Sequence, residues 1–178
     1  MKKKLKIAVI GAGGIASLAH MPGYAKMDNV EIVAICDINR DKAEKLAREY
    51  YIPHVCENYK DVFEIPELDA VDICTPNYLH SVIAVEAMEH GFHVFCEKPD
   101  AVSVAEVMKM KDAAEKSGKV LMVMRNNRYM PISSFLKEYI EVVVWEKFMQ
   151  LVVAGRDVEG FREKAAGLRQ KLSPVEAR

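Results

Sequence analysis

The sequence predicts an α/β fold built on a doubly wound, mostly parallel sheet, and three observations support this prediction. Apolar runs recur along the first 130 residues, and each run is continuous rather than alternating, as expected for strands that are covered on both faces. Helical patterns separate these runs, and the connections are short, which favours right-handed βαβ crossovers. A glycine-rich loop follows the first run directly.

The strand and helix predictions follow the chain in order. The predicted strands are the apolar runs at residues 6–12, 30–37, 70–76, 93–99 and 119–125, with a weaker sixth run at 54–58. The spacing of apolar residues predicts helices over 41–50 and 79–89. Two capping boxes mark helix starts, Asp41 with Glu44 and Ser103 with Glu106. The stretch SGK after Glu115 is typical of a helix end.

Composition excludes several classes of function. The chain has 178 residues, a length that favours one domain, and its 25 basic and 26 acidic side chains nearly cancel. This balance gives no electrostatic basis for binding nucleic acid or an anionic membrane. The basic start MKKKLK precedes an apolar run too short for a signal peptide or a membrane span. Four cysteines without a CxxC pair predict reduced thiols in a cytoplasmic protein and no metal site.

The glycine loop GAGGIA predicts a dinucleotide site, because it lies between a strand and a helix. Gly11 permits a tight turn, Gly13 lets the backbone approach a pyrophosphate, and Ala16 lets the helix pack close to the sheet. Gly14 and Ile15 complete the loop at the helix N-terminus, which offers free N–H groups and a partial positive charge to the phosphates.

Asp37 ends the second predicted strand, where a carboxylate can accept hydrogen bonds from both ribose hydroxyls. The same carboxylate would repel a 2′-phosphate, so the sequence favours NAD over NADP. Arg40, three residues further on, would soften that preference. The alternative is a glycine turn that binds nothing, with Asp37 as an acid at a helix N-terminus.

Two polar clusters follow the next strands, at the edge where open α/β sheets bind ligands. The first cluster is Thr75, Pro76, Asn77 and His80, in which Asn77 either faces a ligand or caps the next helix. The second is the Glu97-Lys98-Pro99 turn. A lysine at a strand end near a nicotinamide could serve as an acid or base. The alternative is an exposed turn lysine paired with Glu97.

These motifs occur in a familiar order. GAGGIA, the CD after the second strand, ICTPNYLH, GFHVFCEKP and NNRYMP together resemble the N-terminal half of the Gfo/Idh/MocA family (glucose-fructose oxidoreductase / inositol dehydrogenase), over roughly residues 5–135. The resemblance implies a Rossmann domain of an NAD(P)-dependent sugar or cyclitol dehydrogenase. A non-catalytic dinucleotide-binding module is the alternative, because it needs the glycine loop and Asp37 but not the lysine.

The resemblance also implies roles for individual residues. Lys98 would lie beside the nicotinamide and the substrate hydroxyl as the catalytic group, in a turn positioned by its neighbours Glu97 and Pro99. Asn77 and His80 match positions that line the cofactor. Arg128 matches a position at the cofactor edge, and His20 matches a common family position that we interpret as structural.

The family pattern stops after residue 131, so we predict a Rossmann domain over 1–131 and a helical tail over 132–178. The tail is too short for the family's second, antiparallel-sheet domain, which implies a truncated member. A natural, truncated, frameshifted or engineered ending would each give this pattern. Apolar spacing predicts one helix from 132 to about 153, with a strand as the alternative at 142–145, and a second helix over 157–172. Such an apolar tail predicts a homodimer or higher oligomer through residues 132–172.

Overall fold

Six parallel strands form one sheet in the computed structural model of the chain, which describes residues 4–152 and, in its last helix, the side chains as far as residue 143. The strand order is β3-β2-β1-β4-β5-β6. The strands are β1 (Leu5–Ile10), β2 (Val30–Cys36), β3 (His54–Cys56), β4 (Ala70–Ile73), β5 (His93–Cys96) and β6 (Leu121–Val123). All six predicted strands are therefore confirmed, as is the doubly wound α/β fold class.

Both faces of the sheet are buried, which explains the continuous apolar runs. Successive residues of a strand point to opposite faces. In β1, Ala8 and Ile10 enter one core cluster while Val9 enters the other, and each of the three is at most 2% exposed. A polar residue at any of these positions would thus be buried against a helix.

Helices cover the two faces. They are α1 (Met21–Tyr24), α2 (Arg40–Tyr50), α3 (Tyr59–Val62), α4 (His80–Glu89), α5 (Val104–Ser117) and α6 (Pro131–Val152), and a π-helical turn over Ala16–His20 precedes α1. One core cluster contains residues of α3, α4 and α5, and the other contains residues of α1 and α2. The first two helices, α1 and α2, therefore cover one face of the sheet, and the next three, α3 to α5, cover the other face.

The helix caps differ in part from the prediction. Ser103 caps α5 as predicted, since its Oγ accepts from the N–H of Glu106. The predicted box of Asp41 with Glu44 is wrong. Helix α2 begins one residue earlier, at Arg40, so Asn39 occupies the cap and accepts from the N–H of residue 42.

The start of α4 also departs from the prediction. Residues Asn77–Leu79 form a 3₁₀ turn, and α4 follows from His80 with no side-chain cap. The cap positions of the 3₁₀ turn and of α4 are Pro76 and Leu79, so the predicted capping role of Asn77 is not found. The predicted end of α5 is confirmed, because Gly118 adopts a left-handed conformation with φ of 66° at the C-cap.

The chain divides into two compact units, Met1–Met124 and Arg125–Arg178. In the second unit, α6 confirms the first predicted tail helix and excludes the alternative strand at 142–145. The helix exposes large apolar side chains, among them Ile132, Phe135 and Tyr139. The second predicted tail helix, 157–172, lies outside the described residues. None of the helices within residues 4–152 combines the length and apolar character needed to cross a bilayer.

Gly11→Ala should destabilise the fold by about 2–4 kcal/mol, measured by urea unfolding. Gly11 has φ of +106°, and a Cβ there would lie 2.6 Å from the main-chain oxygen of Cys74. Either β1 or β4 would have to shift. Gly23→Ala is the matched control, because a Cβ at Gly23 meets no atom within 4 Å. Equal stability of the two variants would contradict the close packing of Gly11.

Candidate functional site

The glycine loop leaves the carboxyl end of β1 between its two neighbouring strands. The N–H of Gly11 donates to the oxygen of Cys36 at 2.7 Å, and the N–H of Cys74 donates to the oxygen of Ile10 at 2.8 Å. A Cβ added at Gly13 or at Gly14 would meet none of the described residues within 4 Å. The loop backbone is therefore fixed at Gly11 and open at Gly13 and Gly14, which leaves room for a phosphate to approach the main chain.

Asp37 holds this loop from the end of β2. Its Oδ2 accepts from the N–H of Ala12 at 2.7 Å, and its Oδ1 accepts from the N–H of Asn39 at 2.8 Å. A carboxylate has about four acceptor positions. Each oxygen thus keeps capacity for a ribose hydroxyl while it orients the loop. The tie to Ala12 was not apparent from the sequence, in which the two residues are 25 positions apart.

A cavity of about 910 Å³ opens beside the loop at the carboxyl edge of the sheet. Five of the predicted cofactor-binding residues line it, namely Gly11, Gly13, Asp37, Thr75 and Pro76. The volume lies in the range of sites that bury a small organic molecule. A second cavity of about 240 Å³ adjoins Gly13 and Gly14 on the α2 side.

One buried polar atom at this cavity lacks a partner. Thr75 lines the cavity, and its Oγ1 is buried with no hydrogen bond to any of the described residues. Buried polar atoms are nearly always bonded. Together with the open backbone at Gly13 and Gly14, this orphaned hydroxyl shows that the residues present fit a bound dinucleotide.

Several cavity-lining residues were missed by the sequence predictions. They are Asn39, Lys42, Glu57, Asn58, Tyr59 and Tyr78. All of them lie within six residues after the ends of β2, β3 or β4, so the rule that ligands bind outside the carboxyl ends of strands could have identified them. The weak pattern of the three-residue strand β3 concealed that Asn58 and Tyr59 lie at the same edge.

The structure brings the two predicted polar clusters together through His80. Its Nδ1 lies 2.7 Å from the oxygen of Pro99, and its Nε2 lies 2.9 Å from the oxygen of Thr75. The side chain is fully buried at 0% exposure, and the cofactor contact that the motif implies for it stays a prediction. His80 ties the loop after β4 to the turn after β5.

Glu97 and Lys98 have opposite environments. Glu97 is buried, and its carboxylate accepts from His20 Nε2 at 3.0 Å and from the N–H of Lys98 at 3.0 Å. Glu97 therefore holds the main chain of the turn from the buried side, and it is not among the residues that line the cavity. The Lys98 side chain is exposed. The alternative ion pair between Lys98 and Glu97 is not formed within residues 4–143, because Glu97 pairs with His20 instead.

The remaining predicted residues lie outside the cavity lining. The guanidinium of Arg40 donates to Glu44 at 2.8 Å and to Glu57 at 3.0 Å on the protein surface. Ile15 and Asn77 are exposed. Arg128 belongs to a 3₁₀ turn, Asn126–Tyr129, in the second compact unit. Cofactor contacts by these four residues stay predictions.

His20 is a buried histidine whose pKa departs clearly from its ordinary value. It is 5% exposed, with Nδ1 2.6 Å from Asp72 Oδ2 and Nε2 3.0 Å from Glu97 Oε1. Burial alone would lower the pKa of His20. The hydrogen bonds and charges of Asp72 and Glu97 outweigh burial and raise that pKa from 6.5 to about 9. The imidazole is therefore a cation between two carboxylates at neutral pH.

Cys74 adjoins this group, and its Sγ lies 3.5 Å from His20 Nδ1. His20, Asp72 and Cys74 each offer a ligand atom within 4.8 Å of the others. The group is poorly suited to a metal, because the histidine and the aspartate already bond each other. Burial, followed by the charge of Asp72, also raises the pKa of the Cys74 thiol, and metals bind the thiolate.

Comparisons with known proteins agree with this geometry. A family model described as an oxidoreductase family with an NAD-binding Rossmann fold, Gfo/Idh/MocA, matches residues 5–125. The D-glucoside 3-dehydrogenase of Escherichia coli is 34% identical over 136 residues, which are 76% of this chain and 39% of that protein. The chain thus spans about two fifths of the length of the curated relatives it matches.

Solved structures give the same match. The WlbA dehydrogenase from Chromobacterium violaceum, in complex with NADH and UDP-GlcNAcA, is 29% identical with a TM-score of 0.75, covering 79% of this chain and 41% of that one. The myo-inositol 2-dehydrogenase from Lactobacillus plantarum is 27% identical with a TM-score of 0.72, covering 78% and 41%.

Stability should fall as pH rises from about 6.5 to about 9, because the folded protein binds the His20 proton more tightly than the unfolded chain does. The stabilisation is complete below the ordinary pKa of 6.5 and is lost as pH passes the folded value of about 9. Urea unfolding at a series of pH values would show this slope.

His20→Gln should remove the slope in that range, whereas His90→Gln should keep it, since His90 is exposed, stacks on Phe63 and bonds its own helix through Nδ1 rather than a carboxylate among the described residues. The buried cysteines Cys74 and Cys96 change the pH dependence of stability only above their ordinary pKa of 9.0. If His20→Gln does not fold, the imidazole resonances of the unmodified chain report the same titration. If the resonances of the His20 imidazole showed that it loses its proton near pH 6.5, this would contradict the charge assigned to His20.

Proposed function

The chain belongs to the Gfo/Idh/MocA oxidoreductase family, and we propose from this that it binds NAD and supports hydride transfer from a hydroxyl-bearing carbon of a sugar or cyclitol. The observation that carries the proposal is the open glycine loop, held by Asp37 beside a cavity of about 910 Å³. The family match and the dehydrogenases among its relatives support the reaction class. The activity of the whole protein is part of the proposal, because the chain spans about two fifths of its relatives.

Each residue has a distinct role in this proposal. The N–H groups at Gly13 and Gly14 would bind the pyrophosphate, and Asp37 would accept from the ribose hydroxyls. Thr75 would gain a partner for its buried hydroxyl. Bound NAD supplies a nicotinamide that can accept a hydride. Lys98, exposed at the end of β5, would move the proton of the substrate hydroxyl.

The choice of NAD over NADP rests on Asp37. Its carboxylate lines the cavity at the end of β2, where a 2′-phosphate would bring a second negative charge. Two like charges about 4 Å apart repel by about 4 kcal/mol at an effective dielectric constant near 20. Arg40 does not offset this charge from its present position, since its guanidinium bonds Glu44 and Glu57.

A cytoplasmic location is also proposed. It is supported by the four cysteines, all of which are free in the structure, since free thiols are typical of reducing compartments. A homodimer or higher oligomer through residues 132–172 stays a proposal, supported by the exposed apolar residues of α6 such as Phe135 and Ile140. Light scattering that gave a monomer at micromolar concentration would count against it.

NAD should bind at least about tenfold more tightly than NADP, a difference of about 1.4 kcal/mol, as measured by calorimetry. Asp37→Ala should bring the two affinities within about threefold and should also weaken NAD, because the loop loses its tie at Ala12. Asp41→Ala is the control, an exposed acid in the first turn of α2 that does not line the cavity. An unchanged ratio in Asp37→Ala would show that this carboxylate does not contact the ribose.

Lys98→Ala should lower kcat about 100-fold or more in NAD reduction with a panel of polyols and sugars, with the affinity for NAD nearly unchanged. Lys109→Ala, at another exposed lysine, is the control. Binding of NAD without turnover by the unmodified chain would favour the alternative, a non-catalytic dinucleotide-binding module. Failure to bind either dinucleotide would rule out both functions.

A further inference from the structure

A buried hydrogen-bonded network joins the helix after the glycine loop to the Lys98 turn. We propose that His20 is a positioning residue, which holds the Glu97 carboxylate in the orientation that fixes the main chain of Lys98. The catalytic consequence rests on the proposed function, whereas the structural link does not. His20 belongs to the turn after the glycine loop, Asp72 to β4, and Glu97 follows β5 directly.

The two oxygens of Glu97 bond different partners. Oε1 lies 3.0 Å from His20 Nε2, and Oε2 accepts from the N–H of Lys98 at 3.0 Å. A rotation of the carboxylate that broke one bond would also misalign the other. The direction of the Lys98 N–H therefore depends on whether His20 holds Oε1.

His20 is itself fixed from the opposite side. Its Nδ1 lies 2.6 Å from Asp72 Oδ2, which also accepts from the Tyr24 hydroxyl at 2.9 Å. The ring packs beside Phe95 with centroids 5.8 Å apart. Asp72 lies on a central strand, paired with Val9 of β1 and with Phe95 of β5. The network is thus fixed at Asp72, which lies in the middle of the sheet.

Charge makes the network sensitive to His20. The titratable groups that face the imidazole are Asp72 from β4, Cys74 just after β4, Glu97 after β5, and Tyr24 from its own helical segment. Asp72 and Glu97 are 1% and 6% exposed, so their charges have little access to water. Without the imidazolium, the two carboxylates would lie unneutralised in the interior, and Glu97 would turn away from its neighbour.

A network that merely stabilises the fold makes a different prediction. If the network only stabilised the fold, changing His20 would lower the free energy of unfolding of the whole domain. The Lys98 turn would be unchanged in the molecules that remain folded. A positioning network changes the Lys98 turn within the folded state. The amide of Lys98 distinguishes the two, because its acceptor is the Glu97 side chain.

The test is amide hydrogen exchange in the full chain, measured by NMR for the N–H groups of Glu97 and Lys98. The Glu97 N–H is the internal reference, because it bonds the oxygen of Ile73 in the sheet. In His20→Gln and in the milder Tyr24→Phe, exchange at Lys98 should accelerate relative to Glu97. We expect about tenfold for His20→Gln, typical of a lost bond to a charged group, and about two- to threefold for Tyr24→Phe.

Two matched variants serve as controls. His90→Gln makes the same substitution at an exposed histidine, and Glu106→Gln makes an acid-to-amide change at a carboxylate that accepts from Ser81 at 2.8 Å between α4 and α5. Both should leave the Lys98-to-Glu97 exchange ratio unchanged. Glu97→Gln keeps the shape of the side chain but replaces one oxygen with a donor, so it should accelerate Lys98 exchange by a similar factor to His20→Gln.

Turnover provides the second readout. If the chain reduces NAD, His20→Gln should lower kcat about tenfold with little change in the KM for NAD, because the glycine loop and Asp37 are untouched. If the unmodified chain shows no turnover, the proposed function fails for this chain and the exchange ratios still decide the role of His20. A Lys98-to-Glu97 exchange ratio in His20→Gln that equals the ratio in the two controls would overturn the proposal, whatever Glu97→Gln shows.

Discussion

The pairing of β1 with β4 is the contact on which the rest of the structure depends. It places the turn at Gly11 against the main chain of Cys74, with no room for a side chain between them. On one side of this contact the chain winds through α1 and α2, and on the other through α3, α4 and α5. The crevice between the two directions of winding is where the cavity opens. The close approach of two backbones therefore fixes both the fold and the place of the site.

Sequence reasoning succeeded where a physical period or a local motif specified the answer. The six strands followed from continuous apolar runs. Gly11, Gly13 and Asp37 followed from the glycine-loop motif and Thr75 from the rule that ligands bind at the carboxyl edge; all four line the cavity, and their contacts with a cofactor stay predictions. It failed where a side chain acts over a long separation. His20 and Asp72 are 52 positions apart, and His20 and Glu97 are 77 apart. No local pattern encodes those bonds, so His20 was assigned a structural role without partners.

The same limit explains His80. Its match to a motif implied a position that lines the cofactor, and the motif did not show that the side chain is fully buried and bonds two main-chain oxygens. A motif identifies which residues recur together without specifying which of them reaches the surface. The structure thus places Lys98 and the glycine loop at the surface, whereas His20, His80 and Glu97 are buried and bond one another's loops or main chain beneath them.

The double use of the Asp37 carboxylate has a consequence for any redesign of cofactor preference. The group proposed to reject a 2′-phosphate also fastens the glycine loop through Ala12. Selectivity and loop rigidity are consequently inherited together, and no single replacement by a basic residue can alter the first without loosening the second. A protein engineer who wants an NADP-selective form must introduce a new acceptor for the Ala12 N–H in the same step. An evolutionary change of preference from NAD to NADP would likewise need both a replacement for Asp37 and a new acceptor for the Ala12 N–H.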